Sequence, residues 1–419
     1  MLGQRSSQMK RRILGICLTM LTVFSLAACG DKQETNNNTD WAWTGFGIQE
    51  GALTEDGYYY VPASGHVLSY ADLSGKGSTI LCSKVGCSHE DEDCEAWIQG
   101  FSPNVMFFWN DHIYYLDPNT YAICRRNATG TELTQIGIPG GQFLQAQKTI
   151  SAGRCVQVGQ YLYYTANVID KHMDEESGLP ILTSEKRYIG RFHLESGKDE
   201  ILYENNDLKK NGSLWLLAAE DGGALFIESE GIDLSAEDPQ YLETLRQSPV
   251  KLFRWDERTG QTQELFNKRN HDCSEWHLIY DGKLYYNTRG DNKTGTMGNV
   301  CTYDLTTGGE EIVYENGHFK HLGGGYAMRR TNEDGWQLIE LKTGKVLPKQ
   351  IDYASPIPCE SSKEGVVVYY FASRESTNAD GDSETIRETV YSYVTYASLA
   401  DGWQETDMVT LYTKKLGYS

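Results

Sequence analysis

The chain has 419 residues, with 38 basic and 58 acidic side chains and a formal net charge of −20. Nucleic acid and anionic surfaces repel a folded domain this acidic, so we expect no nucleic-acid partner. With 27 Tyr and 42 Gly against only 10 Pro, the composition favours strands and tight turns over helices.

The N-terminus has the order of an export signal. Residues 1–12 carry four basic side chains and no acidic one, and the run from Ile13 to Ala28 is almost wholly apolar. This run is shorter than the roughly 20 residues that a membrane-spanning helix needs. It stops at Leu26-Ala27-Ala28-Cys29-Gly30, a sequence that resembles the lipobox of bacterial lipoproteins.

That resemblance implies that residues 1–28 are a signal peptide and that Cys29 becomes the acylated N-terminus. We therefore expect a chain anchored in the cell membrane through the lipid on Cys29 and facing outward. The alternative is an ordinary signal peptide with an incidental cysteine, which would release the domain. Residues 29–40 are polar and predict a flexible tether, so the folded domain is expected to span residues 41–419.

The rest of the chain carries a repeat of roughly 55 residues. Its first part is a turn followed by an alternating aromatic strand. The copies of this part are residues 56–60, 111–115, 159–164, 222–226, 281–286, 323–328 and 364–370.

The second part of the repeat is a short strand, a turn that ends in glycine, and another short strand. The turn glycines are Gly75, Gly130, Gly197, Gly260, Gly308, Gly344 and Gly402, the last in a degraded copy. Seven such copies, each supplying about four strands, predict an all-β fold with radially arranged four-stranded sheets, a seven-bladed β-propeller. Six or eight blades would also be compatible with the spacing.

The ectodomain resembles the β-propeller lipoproteins of Gram-positive gut-type bacteria, whose domains carry the same Asp-Gly-x-Leu-Tyr-Tyr and Asp-Leu-x-Thr-Gly patterns. The resemblance covers residues 45–412, and these proteins mostly lack an assigned activity. It therefore implies a fold and not a reaction. The repeated tyrosines are expected to pack between neighbouring blades, with a sugar-stacking surface as the alternative.

Three thiols and an imidazole crowd into the link between the first two repeats. They are Cys82, Cys87, His89 and Cys94. A Cys3His set suits tetrahedral Zn²⁺, and because four protein ligands leave no open position, such a zinc ion would be structural. Disulfide formation is a competing interpretation, since exported cysteines commonly oxidise, and free thiols are the third. No other cofactor is predicted.

A second group of residues falls in or near the links before the fifth and sixth repeats: His271, His277, His318 and His321. Links between blades run around the channel face, so these histidines could converge there on a metal ion. Solvated loop histidines are the alternative.

These features predict first a non-catalytic binding or interaction module, whose partner is a glycan, a peptide or an envelope protein. An extracellular carbohydrate-active enzyme, a lyase or hydrolase using the four histidines, is the second hypothesis. A structural scaffold of an envelope complex is the third.

Overall fold

The computed structural model describes residues 42–418 apart from 44–50, 63–64, 100–102, 104, 142–147, 174–179, 206–211, 236, 291–295, 332–334, 351–355 and 378–382. The predicted signal peptide, Cys29 and the polar tether lie outside the described residues. Within the described part, no helix is long and apolar enough to cross a bilayer.

Seven antiparallel sheets follow one another along the chain, and each takes its strands in sequence order from the inner to the outer edge. We number these sheets blades 1 to 7. Blade 1 contains β2 (Gly51–Leu53), β3 (Gly57–Tyr60), β4 (Ser69–Asp72) and β5 (Ser78–Ile80). Blade 2 contains β6 (Met106–Trp109), β7 (His112–Leu116), β8 (Ile123–Asn127) and β9 (Thr134–Gly137). Blade 3 contains β10 (Lys148–Val158), β11 (Tyr161–Met173), β12 (Pro180–His193) and β13 (Asp199–Asn205).

Blades 4 and 5 contain β14 (Ser213–Glu220), β15 (Gly223–Ser229), β16 (Pro249–Asp256), β17 (Gln261–Arg269); and β18 (Glu275–Tyr280), β19 (Lys283–Asn287), β20 (Val300–Asp304), β21 (Glu310–Tyr314). Blades 6 and 7 contain β22 (Gly317–Gly323), β23 (Tyr326–Thr331), β24 (Gly335–Glu340), β25 (Val346–Leu347); and β27 (Ile357–Ser361), β28 (Gly365–Thr377), β29 (Ser383–Thr395), β31 (Val409–Tyr418). The predicted seven-bladed β-propeller is therefore confirmed.

A few elements lie outside this four-strand pattern. The strand β1 (Ala42–Trp43) adds a fifth strand to blade 4 by pairing with β14, and β26 (Lys349–Gln350) pairs in parallel with β30 (Trp403–Gln404). Two short helices, α1 (Tyr241–Gln247) and α2 (Tyr396–Ala400), and a 3-10 turn at Glu405–Asp407 complete the described elements.

The predicted turn chemistry is present in the outer hairpins. In blade 5 the Asp304 carboxylate accepts backbone N–H groups from Thr306 and Thr307 at 2.9 and 2.7 Å, and Gly308 then closes the turn with φ +72°. A side chain at Gly308 would strain this left-handed backbone, which explains the recurring glycine. All seven predicted turn glycines have positive φ.

The seventh repeat departs from the prediction. Residues 396–408, expected to form a plain hairpin, instead form α2, β30 and the 3-10 turn. Thr395 Oγ1 caps α2 by accepting the Ser398 N–H at 3.1 Å. Trp403 is fully buried between blades 6 and 7, so this insertion completes the packing of that seam.

The core consists of seven apolar clusters, one at each seam between neighbouring blades. Repeat tyrosines supply much of it, and Tyr59, for example, stacks on Phe108 across the seam between blades 1 and 2 with ring centroids 5.4 Å apart. Burial of these rings agrees with the predicted inter-blade packing. Residues 40–419 form one compact unit around this ring of clusters.

Among the described residues, blades 7 and 1 exchange no strand and meet mainly through side chains. Every described strand of blade 1 comes from residues 51–80, and every one of blade 7 comes from residues 357–418. Across this seam the ring centroids of Tyr60 and Tyr412 lie 3.9 Å apart, and those of Tyr391 and Tyr412 lie 4.2 Å apart within blade 7. Aromatic stacking thus takes the place of an exchanged strand.

The two ends of the ring differ in their connections. One end, which we call the turn face, carries mostly tight hairpin turns such as Asn110–Asp111, where both residues have positive φ. The other end, the link face, carries the links between blades and the connections between second and third strands. These include residues 81–105 and 230–248, and the paired strands β11–β12 and β28–β29 lengthen toward the same face.

The chain enters this ring near its axis. Ala42 and Trp43 of β1 pair with Ala219 and Ala218, near the end of β14, the first of the four repeat strands of blade 4. Because β14 runs from the link face to the turn face, β1 enters the channel at the turn face.

Candidate metal and ligand sites on the link face

The link from blade 1 to blade 2 forms a loop whose ends are held together by one residue. The Leu68 carbonyl accepts the Leu81 N–H at 3.0 Å, and the Leu68 N–H donates to the Ala96 carbonyl at 2.8 Å. These bonds place Cys82 and Cys94 side by side, because each lies next to one end of this ladder. We call residues 82–94 the cysteine loop.

Four potential ligand atoms converge in the cysteine loop. The Sγ atoms of Cys82, Cys87 and Cys94 and a ring nitrogen of His89 all lie within 4.8 Å of one another. His89 Nδ1 is 3.3 Å from Cys94 Sγ. Cys94 is buried and the other three are half-buried, so the cluster lies at the edge of the seam rather than in open solvent.

Backbone amides lie next to the thiols of Cys82 and Cys94, the first and last residues of the cysteine loop. Burial opposes ionisation of Cys82, but hydrogen bonds from the backbone of Lys84 and Glu95, together with those from the Cys94 and Cys87 thiols, outweigh burial and lower the pKa of this thiol. Burial raises the pKa of Cys94 to about 12, although the Ala96 backbone opposes that shift. Amide–sulfur bonds of this kind stabilise thiolates.

Arg126 of blade 2 clamps the residues that follow the cysteine loop. Its buried guanidinium donates to the backbone carbonyls of Glu95 and Trp97, the latter at 2.7 Å, and to the Gly130 carbonyl at 2.8 Å. A charged donor that satisfies three buried carbonyls is a strong constraint. The C-terminal end of the cysteine loop is therefore fixed to both blades of the seam.

A second cluster lies at the link-face end of the channel. Glu275 and His277 are at the start of β18, and His318 is at the start of β22, the inner strands of blades 5 and 6. Their ligand atoms lie within 4.8 Å of one another, and His318 Nδ1 is 3.3 Å from a Glu275 carboxylate oxygen. We call these three residues the channel triad.

The His277 ring is oriented by a polar chain. Its Nε2–H donates to Asn287 Oδ1 at 2.9 Å, and Asn287 Nδ2 donates to the Gly317 carbonyl at 3.0 Å. This bond leaves the lone pair on Nδ1. Burial lowers the pKa of His277 to about 4, so the ring is neutral at pH 7, as a metal ligand must be.

The other two predicted histidines have different positions. His271 is exposed in the link before blade 5, with its Nδ1 3.4 Å from Asp272 Oδ1. Burial lowers the pKa of His321 to about 3, with the nearby His277 adding to the shift, and His321 is outside the channel triad. Of the four predicted histidines, His277 and His318 therefore belong to the channel triad, and His271 and His321 lie outside it.

Sequence reasoning missed Glu275. The only signal for it is its position two residues before His277 in the sequence. With 58 acidic residues in the chain, that signal could not single out one carboxylate.

Comparisons with known proteins add little to this geometry. No family model and no curated protein matches the chain. Among solved structures, an oligogalacturonate lyase in complex with manganese is 13% identical, with 73% of this chain and 79% of that one covered and a TM-score of 0.45. An oligogalacturonate lyase from Vibrio parahaemolyticus is 11% identical, with coverages of 77% and 86% and a TM-score of 0.48.

TolB from Acinetobacter baumannii is 12% identical, with 88% of this chain and 79% of that one covered and a TM-score of 0.34. At these identities and scores, none of the three activities can be transferred to this chain.

Proposed function

We propose that this chain is a lipoprotein, anchored outside the cytoplasmic membrane through Cys29, whose propeller is a non-catalytic module that binds a glycan, a peptide or an envelope protein at the link face. A stable anchor requires the acyl chains that the lipobox-like sequence around Cys29 implies. A scaffold role within an envelope complex would use the same surface.

The observation that carries the binding role is the contrast between the two faces. The turn face is built mostly from tight turns, which a fold needs in any case. The link face carries the cysteine loop, α1 in the connection of blade 4 and the lengthened strands of blades 3 and 7. Long connections that are held by a rigid scaffold are where binding residues concentrate.

The entry of the chain supports the same orientation. Because β1 enters the channel at the turn face, the tether predicted over residues 29–40 would lead into the opposite end of the ring from the link face. The link face is then free to meet a partner.

The anchor is tested by metabolic labelling with a palmitate analogue. We expect Cys29→Ala to abolish labelling and membrane association of the full chain. The circular dichroism of the propeller should be unchanged, since every described strand lies after this residue. Cys17→Ala, within the predicted signal peptide, should still be labelled. Labelling that persists in Cys29→Ala would contradict the anchor.

The binding face is tested with two exposed leucines. Leu242 on α1 lies at the link face and is 64% exposed, whereas Leu133 lies in a turn-face connection of blade 2 and is 56% exposed. The full chain should be screened against glycan and peptide arrays, and the ligand found should then be titrated. We expect Leu242→Glu to weaken binding by tenfold or more and Leu133→Glu to leave it unchanged, and the reverse pattern would refute the proposal.

A second candidate function is a metal-assisted carbohydrate-active enzyme, and the channel triad is the observation that favours it. A carboxylate and two imidazoles at the mouth of a channel can hold a divalent cation with positions left open. We expect Glu275→Gln and His318→Asn each to lose both manganese or calcium binding and glycan turnover. The control His271→Asn should retain both. Turnover that survives loss of the triad would exclude this site.

A further inference from the structure

We propose that Cys82, Cys87, His89 and Cys94 bind one structural zinc ion, which fastens the cysteine loop onto the seam between blades 1 and 2. This zinc site is independent of the proposed ligand-binding function, so an experiment can contradict one of the two proposals without contradicting the other.

The spacing of the four atoms is that of a tetrahedral shell. With Zn–S bonds of about 2.3 Å, ligand atoms at the corners of a tetrahedron lie roughly 3.8 Å apart. The observed set, all within 4.8 Å with His89 Nδ1 3.3 Å from Cys94 Sγ, brackets that value. A small contraction around an ion would complete the shell.

A disulfide accounts for less of this arrangement. It joins two sulfur atoms at about 2.05 Å and requires neither a third thiol nor an imidazole. Here all three cysteines are free thiols, and an imidazole nitrogen points at one of them. Zinc is the partner that uses all four groups.

The cysteine loop has little apolar packing of its own between its ends. Val85 is fully exposed, and the run from Glu90 to Asp93 is exposed and acidic. Such a segment cannot repay the conformational entropy of ordering through burial. The loop is held in part by exposed polar contacts, such as Ser83 Oγ to a Glu95 carboxylate oxygen at 2.6 Å and Lys84 Nζ to the Asp93 carbonyl at 3.1 Å. Cys87 and His89 are half-buried, and a metal ion bound to them would add free energy that these exposed contacts do not supply.

The backbone conformation of His89 also supports a metal site. Its φ of +61° lies in the left-handed region, where a side chain other than glycine is uncommon. That conformation accompanies the approach of His89 Nδ1 to Cys94, and strained residues persist where the surrounding structure determines them. Coordination to zinc would be that determinant.

The site is also built into the seam. Cys94, Ala96 and Ile98 are buried in the apolar cluster shared by blades 1 and 2, and Leu68 bonds to Leu81 and Ala96, which flank the loop. Zinc would therefore join Cys82, at the end of blade 1, to residues that Arg126 of blade 2 already holds.

The test measures metal in the full chain, purified in detergent after expression in zinc-supplemented medium. Elemental analysis should find about one zinc per chain. Cys87→Ser and His89→Asn should each lose most of it, while the matched control Ser88→Ala, the exposed residue between them, should retain it. Replacement by cobalt should give the visible absorption bands of a tetrahedral thiolate site in the wild type and in Ser88→Ala only.

A second measurement covers variants that fold poorly. Treating the wild-type chain with a strong chelator should lower its melting temperature, and returning zinc should restore it; Cys87→Ser should not respond to either step. Titration of thiols in denaturant with chelator should find all three cysteines of the loop reactive. A chain without zinc, zinc that persists in both Cys87→Ser and His89→Asn, or a disulfide among the three cysteines would overturn the proposal.

Discussion

At the scale of single residues, the buried imidazoles make the fold sensitive to acid. Burial lowers the pKa of His321 to about 3 and that of His277 to about 4, from the ordinary value of 6.5. Below pH 6.5 the unfolded chain binds protons at these residues that the folded chain does not. The free energy of unfolding is therefore highest, as far as these two groups determine it, above pH 6.5, and it decreases as the pH falls toward 4.

Between pH 7 and pH 5, we expect the free energy of unfolding of His321→Gln to decrease by about 1–2 kcal/mol less than that of the wild type. The measurement is the free energy of unfolding from urea titrations at each pH. His271→Gln is the control, because this exposed side chain lies in the link rather than within the blades. An unchanged pH slope in His321→Gln would show that its ring is not the acid-sensitive group.

The sequence predicted the residues of one cluster better than those of the other. The spacing of Cys82, Cys87, His89 and Cys94 predicted a cluster because a loop of that length keeps its own residues near one another. The channel triad is different, since its residues come from two blades and meet only because the inner strands β18 and β22 of those blades pack side by side. The way two sheets pack against each other is not encoded in the local pattern of either repeat.

At the scale of elements, the outer hairpin of blade 2 has a role that its glycine alone does not reveal. Gly130 has φ +82°, and a Cβ there would lie 2.6 Å from Leu81 Cβ and 2.9 Å from the Leu81 carbonyl oxygen. This turn therefore packs directly against the residue before Cys82. Any side chain at Gly130 would displace the start of the cysteine loop.

We expect Gly130→Ala to destabilise the chain by about 3 kcal/mol or more, from backbone strain together with steric overlap. The control is Gly260→Ala. Gly260 has φ +65°, and a Cβ there would meet nothing within 4 Å, so only the strain of about 1–2 kcal/mol applies. Thermal and urea unfolding would compare the two variants. Equal losses would argue against the contact with Leu81.

The repeats predicted these elements well, because turn glycines and alternating aromatic residues encode hairpins locally. They did not predict β1 or α2. A two-residue strand such as Ala42–Trp43 has no periodicity to detect, and its pairing with β14 joins residues far apart in the sequence. The insertion that contains α2 replaced a turn that its glycine, Gly402, had suggested.

At the scale of the whole molecule, the seam between blades 7 and 1 is where the ring can open. Every other seam joins blades that follow one another in the chain, whereas this one depends on side chains such as Tyr60 and Tyr391. The spacing of the repeats predicted the number of blades but contains no information on how the first and last blades meet.

We expect Tyr60→Ala to cost about 3–5 kcal/mol, as for other large aromatic truncations, and to raise hydrogen exchange selectively in blades 1 and 7. Tyr163→Ala, which removes an equally buried ring from the seam between blades 3 and 4, should cost a similar amount without selective opening. Hydrogen-exchange mass spectrometry distinguishes these patterns. Identical exchange maps for the two variants would show that the closing seam is not a special weak point.

The position of β1 also determines how the ring would carry a mechanical load. Tension applied through the N-terminus would first reach Ala42 and Trp43, which pair with blade 4 and not with blade 1. An anchored chain under shear flow would thus pull on a strand near the axis, and the closing seam would bear force only after this pair had separated. For a chain anchored as proposed, the pairing of β1 with β14 would therefore take up tension before it reached the seam between blades 7 and 1.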